Sequence, residues 1–113
     1  MAHVTLRNPA GGTSASDVVL LVDTGADVTL LPRTEVERLG IPLQAGGSYQ
    51  LMGFDGSTCS APSAVVDMVF LKRVFRGRYL LIQGPQGVLG RNVLNQVVLL
   101  FDGPRRQWSE HSP

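Results

Sequence analysis

Short apolar runs separated by glycine, proline or charged residues predict a chain built mainly of β-strands. The clearest runs cover Asp17–Asp23, Ala64–Leu71, Val74–Ile82 and Val97–Phe101. Strands in globular proteins are usually 3–10 residues long and end at such punctuating residues, so we predict a strand over each run. Lys72–Arg73 is predicted to turn the second run back onto the third.

Two short stretches have helical rather than strand character. In "PRTEVERLG" Pro32 suits a helix start, Val36 and Leu39 share a face, and Gly40 suits a helix end. In "VLGRNVLNQ" a helical turn is predicted with Arg91 in its first turn. The sequence therefore predicts a mainly β fold with one or two short helices.

The sequence contains a weak internal repeat. "VVLLVDTGADVTLLP" and "RYLLIQGPQGVLGRNVL" each hold an apolar strand, a glycine turn, a second apolar pair and a helical turn. The first copy carries an acid, Asp23, at its turn, whereas the second carries Val88, Leu89 and Gly90.

Composition limits the class of protein. The 113 residues suit a single domain spanning 1–113, and the net charge of +1 with interspersed acids and bases predicts neither nucleic-acid nor membrane binding. A single cysteine, Cys59, excludes an internal disulfide and favours a reducing, cytoplasmic location. No apolar stretch reaches the roughly 18 residues of a membrane-spanning helix.

Asp23 directly follows the apolar residues Val18–Val22 and directly precedes a glycine turn. One interpretation is a turn residue whose side chain accepts hydrogen bonds from the following amides. The other is a working carboxylate, because an acid placed where water is scarce must be well hydrogen-bonded or share a proton. Such costly placements cluster at functional sites.

The chemistry open to one buried carboxylate is limited. His3, Cys59 and His111 are too scattered along the chain to predict a metal site, and no Ser–His pair is evident. We therefore expect no metal and no cofactor. Two facing carboxylates can share one proton, activate water and polarise a peptide carbonyl. Because this chain supplies one such acid, a second copy related by twofold symmetry is the direct source of the other.

Three motifs resemble those of the retropepsins, the retroviral-type aspartic proteases. "LLVDTGADVTLLP" is similar to their active-site stretch, "YQLMGFDGSTCSAP" lies where they carry a flap hairpin, and "VLGRNVLNQ" is similar to their second signature. The motifs follow the family's order and cover most of Asp17–Phe101. The resemblance implies a retropepsin-like half-barrel with a flap, active as a homodimer on extended peptide or protein substrates.

The resemblance also implies roles for individual residues. Asp23 would be catalytic, Thr24, Gly25 and Ala26 would support its loop, and the psi-loop would be Val88, Leu89 and Gly90. The residues expected to bind substrate are Gly25, Asp27, Met52, Gly53 and Phe54. Asp27 would also form an ion pair with Arg91, and breaking that pair would cost several kcal/mol if it is partly buried.

Two departures from the family refine these expectations. Pepsin-like relatives carry a hydroxyl that can stabilise the aspartate anion where this chain has Ala26, so we expect a weakly acidic optimum. The C-terminal segment "VVLLFDGPRRQWSE" is longer than in viral members and resembles cellular or bacterial retropepsins. We expect this hairpin to build much of the dimer interface, with Trp108 buried.

Two other functions fit parts of the pattern. "DTGADVT" also resembles the phosphate loop of actin-like ATPases, but those are much larger two-lobed proteins. The second alternative is a catalytically silent retropepsin-fold homodimer that binds peptides or partners without cleaving them, since a fold does not guarantee chemistry.

Overall fold

The computed structural model describes residues 1–44, 50–52, 58–60, 62–84 and 86–111, and for residues 50–52 and 58–60 it describes the backbone. The strands are β1 (Ala2–Arg7), β2 (Ser14–Val22), β3 (Leu30–Pro32), β4 (Gln50–Met52), β5 (Thr58–Ser60), β6 (Ser63–Phe70), β7 (Arg73–Ile82), β8 (Gly87–Leu89), β9 (Leu99–Asp102) and β10 (Gln107–Glu110); the helices are α1 (Arg33–Arg38) and α2 (Arg91–Leu94). The predicted mainly β fold with short helices is confirmed.

Six strands close into a barrel in the order β1-β2-β8-β3-β7-β6. Alternate residues of the long strands point inward, as the period of two in a strand requires. Three of the four apolar runs recognised in the sequence contribute to the barrel interior, whereas Val97–Phe101 lies outside it. The largest fully buried side chains include Leu6, Leu20, Leu31, Met68, Phe70 and Leu89.

The internal repeat is confirmed, and the strands of its two copies pair with each other. β2 pairs in parallel with β8, while β3 pairs in parallel with β7, so each copy's first strand lies beside the other copy's second strand. The second strands meet at the centre, where Leu30 pairs with Val88. This crossed pairing brings the turn that holds Asp23 next to the turn that holds Gly90.

Both helices begin and end close to the predicted residues. Pro32 ends β3 and is the N-cap of α1, so the helix starts at Arg33, one position after the predicted start at Pro32. Gly40 follows α1 with φ of 71°, a left-handed conformation that glycine adopts without strain. Arg91 opens α2 as expected.

The turn between β6 and β7 differs from the prediction by one residue. It consists of Leu71 and Lys72, both with positive φ, and β7 begins at Arg73. A two-residue turn with both φ values positive matches the twist of the flanking strands, so tight strand pairing overrides the preference of leucine for negative φ.

Two hairpins lie outside the barrel. The predicted hairpin around "GFDGS" has its base in β4 and β5, which pair from Gln50–Ser60 to Met52–Thr58; its tip lies outside the described residues. β9 and β10 form the expected C-terminal hairpin. Trp108 is partly buried: its Nε1–H donates to the Met1 carbonyl at 3.1 Å and its ring packs 5.7 Å from that of Phe70.

The C-terminal hairpin nevertheless leaves apolar side chains uncovered on both of its faces, Val98 and Leu100 on one and Phe101 on the other. Val98, Leu100 and Phe101 are each more than half exposed. Three neighbouring exposed apolar side chains are typical of a protein interaction surface. Among the described residues, no helix is both long and apolar enough to span a membrane.

Candidate active site

The loop Asp23–Asp27 leaves the end of β2 and is fixed by backbone hydrogen bonds. The Asp23 N–H donates to the Leu89 carbonyl at 3.1 Å, and the Ala26 N–H turns back to the Asp23 carbonyl at 3.2 Å. Leu89 belongs to β8, which pairs with β2, so the crossed strands determine where Asp23 emerges.

The Asp23 carboxylate is half-buried in the single chain, where the apolar run before it predicted scarce water. The strand buries only alternate side chains, and Leu21 is itself 43% exposed. The Gly25 N–H donates to Asp23 Oδ1 at 2.9 Å. A Cβ on residue 25 would lie 3.3 Å from that oxygen, so glycine allows this close approach.

Thr24 and Gly25 are exposed and Ala26 is half-buried at the surface of the loop. Thr24 lines a cavity of about 240 Å³ that continues over α2 to the C-terminal hairpin, with Arg91, Leu99 and Phe101 among its other walls. The Asp23 loop and the hairpin face that carries Leu99 and Phe101 therefore border one continuous concave surface.

Asp27 and Arg91 form the predicted ion pair, between Asp27 Oδ1 and Arg91 Nη2. The Arg91 N–H also donates to the Ala26 carbonyl at 2.9 Å, so α2 is attached to the loop at two points. The Asp27 and Arg91 side chains remain 79% and 48% exposed. We therefore expect the ion pair to contribute less than about 1 kcal/mol rather than several, because water screens it.

A buried network behind the loop was not predicted from the sequence. The Thr29 hydroxyl donates to Asn92 Oδ1 at 2.7 Å and accepts from the Gly90 N–H at 3.0 Å. Thr29 is only 1% exposed. The available signal was a lone threonine inside the apolar run "VTLLP", since a buried hydroxyl requires partners.

The psi-loop residues lie beside this network. Val88 and Leu89 belong to β8, and Gly90 caps α2. A Cβ on Gly90 would fall 2.3 Å from the Val28 carbonyl oxygen, so no larger residue fits there. The structure thus brings Asp23, Asp27, Leu89, Gly90 and Arg91 together.

The predicted substrate contacts from the flap are not placed. The backbone of Met52 ends β4, while its side chain, Gly53 and Phe54 lie outside the described residues. Within the described parts of the chain, no group of three or more His, Cys, Asp or Glu side chains is arranged to hold a metal ion.

Comparison with known proteins identifies the class. The family model for "Aspartyl protease" matches residues 9–93, which is most of the chain, so the chain belongs to this aspartyl protease family. Its fold is similar to that of EIAV protease, solved in complex with the inhibitor HBY-793. The TM-score is 0.64 and the identity 23%, with 83% of each chain covered. No curated protein matches the sequence.

Proposed function

We propose that this protein is an aspartic endopeptidase that acts as a homodimer, each protomer supplying one Asp23. The observation that carries the proposal is the position of Asp23: a half-buried carboxylate at a strand end, inside a loop fixed by Leu89 and Gly25. Membership of the aspartyl protease family supports the reaction class.

The chemistry requires two such carboxylates. At about 3 Å separation they cannot both ionise, so one keeps a proton while the other is anionic. The anionic carboxylate takes a proton from a water molecule, whose oxygen attacks the peptide carbonyl. The neutral carboxylic acid donates a hydrogen bond to that carbonyl oxygen. The tetrahedral intermediate then collapses as its C–N bond breaks and the leaving amine nitrogen takes a proton from the dyad. Because water is the nucleophile, no covalent enzyme intermediate forms.

The exposed Phe101 side chain supports assembly around Asp23. Phe101 lines the same cavity as Thr24 and is more than half exposed. Burying Phe101 against the same surface of a second copy would bring two Asp23 loops together about a twofold axis. In that arrangement Thr24 would contact the partner's loop.

The remaining residues fit the binding of an extended peptide. Gly25 presents exposed backbone, and Asp27 keeps a carboxylate oxygen accessible beside its ion pair. The β4–β5 hairpin would close over the peptide and exclude water, with Met52, Gly53 and Phe54 as its contacts. Substrates would lie as a strand between flap and loop.

Asp23→Asn tests the proposal directly. We expect the native chain to cleave an unstructured protein best at weakly acidic pH, and the variant to lose about 10²–10⁴-fold in rate. Circular dichroism controls for folding. Equal cleavage by both chains, or cleavage by neither at any pH, would refute the enzyme assignment; peptide binding without cleavage by either chain would favour the silent module.

Dilution tests the dimer separately. Specific activity of the native chain should fall as it is diluted below its dimer dissociation constant, in step with sedimentation. Phe101→Asp should shift that fall to higher concentration, because a charge is placed on the apolar side chain that borders the Asp23 loop. Gln107→Asp adds the same charge at an exposed polar position of the same hairpin and is the matched control. Full activity of a proven monomer would contradict the shared dyad.

A further inference from the structure

One edge of β7 has no strand beside it. β7 pairs with β6 from Arg73 to Leu80, but on its other side it pairs with β3 only from Leu80 to Ile82. Within the described residues, the other side of 73–79 is therefore an open sheet edge. Such edges present unpaired N–H and C=O groups that can pair with another chain.

The register identifies which backbone groups face this edge. The Leu81 N–H donates to the Pro62 carbonyl, on the β6 side. Backbone groups alternate sides along an antiparallel strand, so Val74, Arg76 and Arg78 direct their N–H and C=O groups away from β6. No backbone hydrogen bond reaches these groups from elsewhere in the described chain.

A groove runs along the open edge. Residues 74–79 form one wall, and Asn92, Val93 and Gln96 of the α2 region form the other, enclosing about 270 Å³. The Arg73 guanidinium donates to the Gln96 carbonyl at 3.1 Å and closes one end. The open backbone groups thus lie in a shaped groove rather than on a flat surface.

The groove is basic. Its lining residues include two cations, Arg76 and Arg78, and no acid, and Arg73 closes one end. Asp67 binds Arg76, and Glu110 binds Arg73. No ion pair is formed by Arg78 within the described residues, and its exposed side chain lines the groove.

We propose that this groove binds an acidic, extended peptide segment of a partner protein as an added strand beside β7. Main-chain hydrogen bonds to Val74, Arg76 and Arg78 would supply affinity, as in other cases of strand addition. The cationic side chains would select acidic sequences. This binding is independent of peptide cleavage. In the competing explanation, the arginines only protect the edge from self-association.

The test uses the full chain carrying Asp23→Asn, so that no probe is cleaved. A fluorescent peptide of alternating Glu and Val is titrated and followed by anisotropy, beside a Lys–Val peptide and a single-stranded oligonucleotide. Only the Glu–Val peptide should bind, and it should slow hydrogen exchange at the amides of Val74, Arg76 and Arg78. Equal binding of all probes, or of the oligonucleotide alone, would overturn the proposal.

Two variants distinguish the contribution of side-chain charge to peptide binding from that of backbone hydrogen bonds. Arg78→Glu should weaken binding at least about tenfold, whereas Arg106→Glu, the same charge change on the distant β9–β10 turn, should have little effect. Val74→Pro removes an N–H that β6 does not use and should also weaken binding about tenfold, while Val74→Ala should not. Circular dichroism and melting check that each variant folds.

The remaining outcomes distinguish an added peptide strand from a second copy of this chain at the β7 edge. If Val74→Pro fails to fold, Arg78→Glu and the exchange pattern still decide the question. Binding unaffected by Arg78→Glu, or no amide protection, would refute strand addition. Sedimentation that changes with Arg78→Glu and not with Arg106→Glu, without peptide binding, would assign the edge to a second copy of this chain and overturn the proposal.

Discussion

Asp23 and Asp67 are two carboxylates on strands of one barrel, and their surroundings are opposite. Asp67, in the middle of β6, is 5% exposed and accepts hydrogen bonds from Arg76 Nε at 2.6 Å and Nη2 at 2.8 Å. Arg7 pairs with it in register from β1. Asp23, at the end of β2, is half-buried, and the Gly25 N–H donates to its carboxylate.

The two surroundings predict different roles for the carboxylates, in the stability of the fold for Asp67 and in proton transfer for Asp23. The charge of Asp67 is balanced by arginines, so the folded state depends on its being ionised. Asp23 is held through its backbone and by a neutral network behind it, and no ion pair forms at its carboxylate in the described structure. A carboxylate without a bound cation remains available to exchange protons with a substrate or with a second carboxylate.

Gly90→Ala should give the largest loss of stability, because it displaces the support of the Asp23 loop. The added methyl group would meet the Val28 carbonyl at 2.3 Å, and backbone cannot move aside cheaply. We expect a loss of about 3–5 kcal/mol in the free energy of unfolding, measured by urea denaturation. Gly12→Ala, with nothing within 4 Å, is the control; equal midpoints for both variants would contradict this account.

Asp67→Asn tests the expected contribution of Asp67 to the free energy of unfolding. It replaces a buried carboxylate that accepts two hydrogen bonds with an amide whose NH2 group cannot accept them, and should cost about 1–3 kcal/mol, whereas Asp23→Asn should cost less than about 0.5 kcal/mol. Denaturation of the two variants under identical conditions measures both values. If Asp23→Asn proves the more destabilising, Asp23 is a structural acid and the distinction fails.

The same ion pair has a defined pH dependence. The hydrogen bonds from Arg76 hold the pKa of Asp67 below its usual value, against the opposing effect of burial. The stabilisation is therefore complete above the ordinary carboxyl pKa of about 3.9 and is lost as pH falls through the lower folded value. Asp67→Asn should flatten this acid limb of the stability profile.

Thr29→Val should have a smaller effect at the Asp23 loop. Valine has a similar shape but leaves the buried Gly90 N–H and Asn92 Oδ1 without the hydroxyl that joins them. We expect a loss of about 1–2 kcal/mol with reduced peptidase activity. Thr29→Ser keeps the hydroxyl and should retain activity; an equal loss in activity for both variants would exclude the network as the cause.

The ionisation of Tyr79 gives the smallest and most specific of the predicted effects. Burial, with a contribution from the Asp67 charge, raises the pKa of Tyr79 to about 12. The neutral phenol favours the folded state, so this contribution is complete below pH of about 10 and is lost as pH rises toward the folded value. Absorbance titration should show a late-ionising tyrosine that Asp67→Asn moves to lower pH and Tyr79→Phe removes.

Much of the fold followed from local sequence patterns. The apolar runs predicted the positions of the long strands, Gly40 predicted the end of α1, and the internal repeat predicted two similar halves. The Asp27–Arg91 pair was reached through resemblance, because the two residues lie far apart in the chain and only the crossed strands bring them together.

Features that depend on register or close packing could not be predicted. Asp67 meets Arg76 and Arg7 only because three strands align in one register. The role of Gly90 depends on a carbonyl from a different loop, and the half-burial of Asp23 depends on which face of β2 points inward. The one-residue error in the β6–β7 turn has the same origin, since strand pairing decided the turn.

The crossed pairing of the two halves also constrains the order of biosynthetic events. Leu20 pairs with Gly87, which lies 67 residues (87 − 20) further along the chain, so the Asp23 loop lacks its support until that later segment has been synthesised. Under the proposed function, a nascent chain would therefore not yet hold Asp23 in its working position. We expect this delay to protect the emerging polypeptide and its neighbours from premature self-digestion.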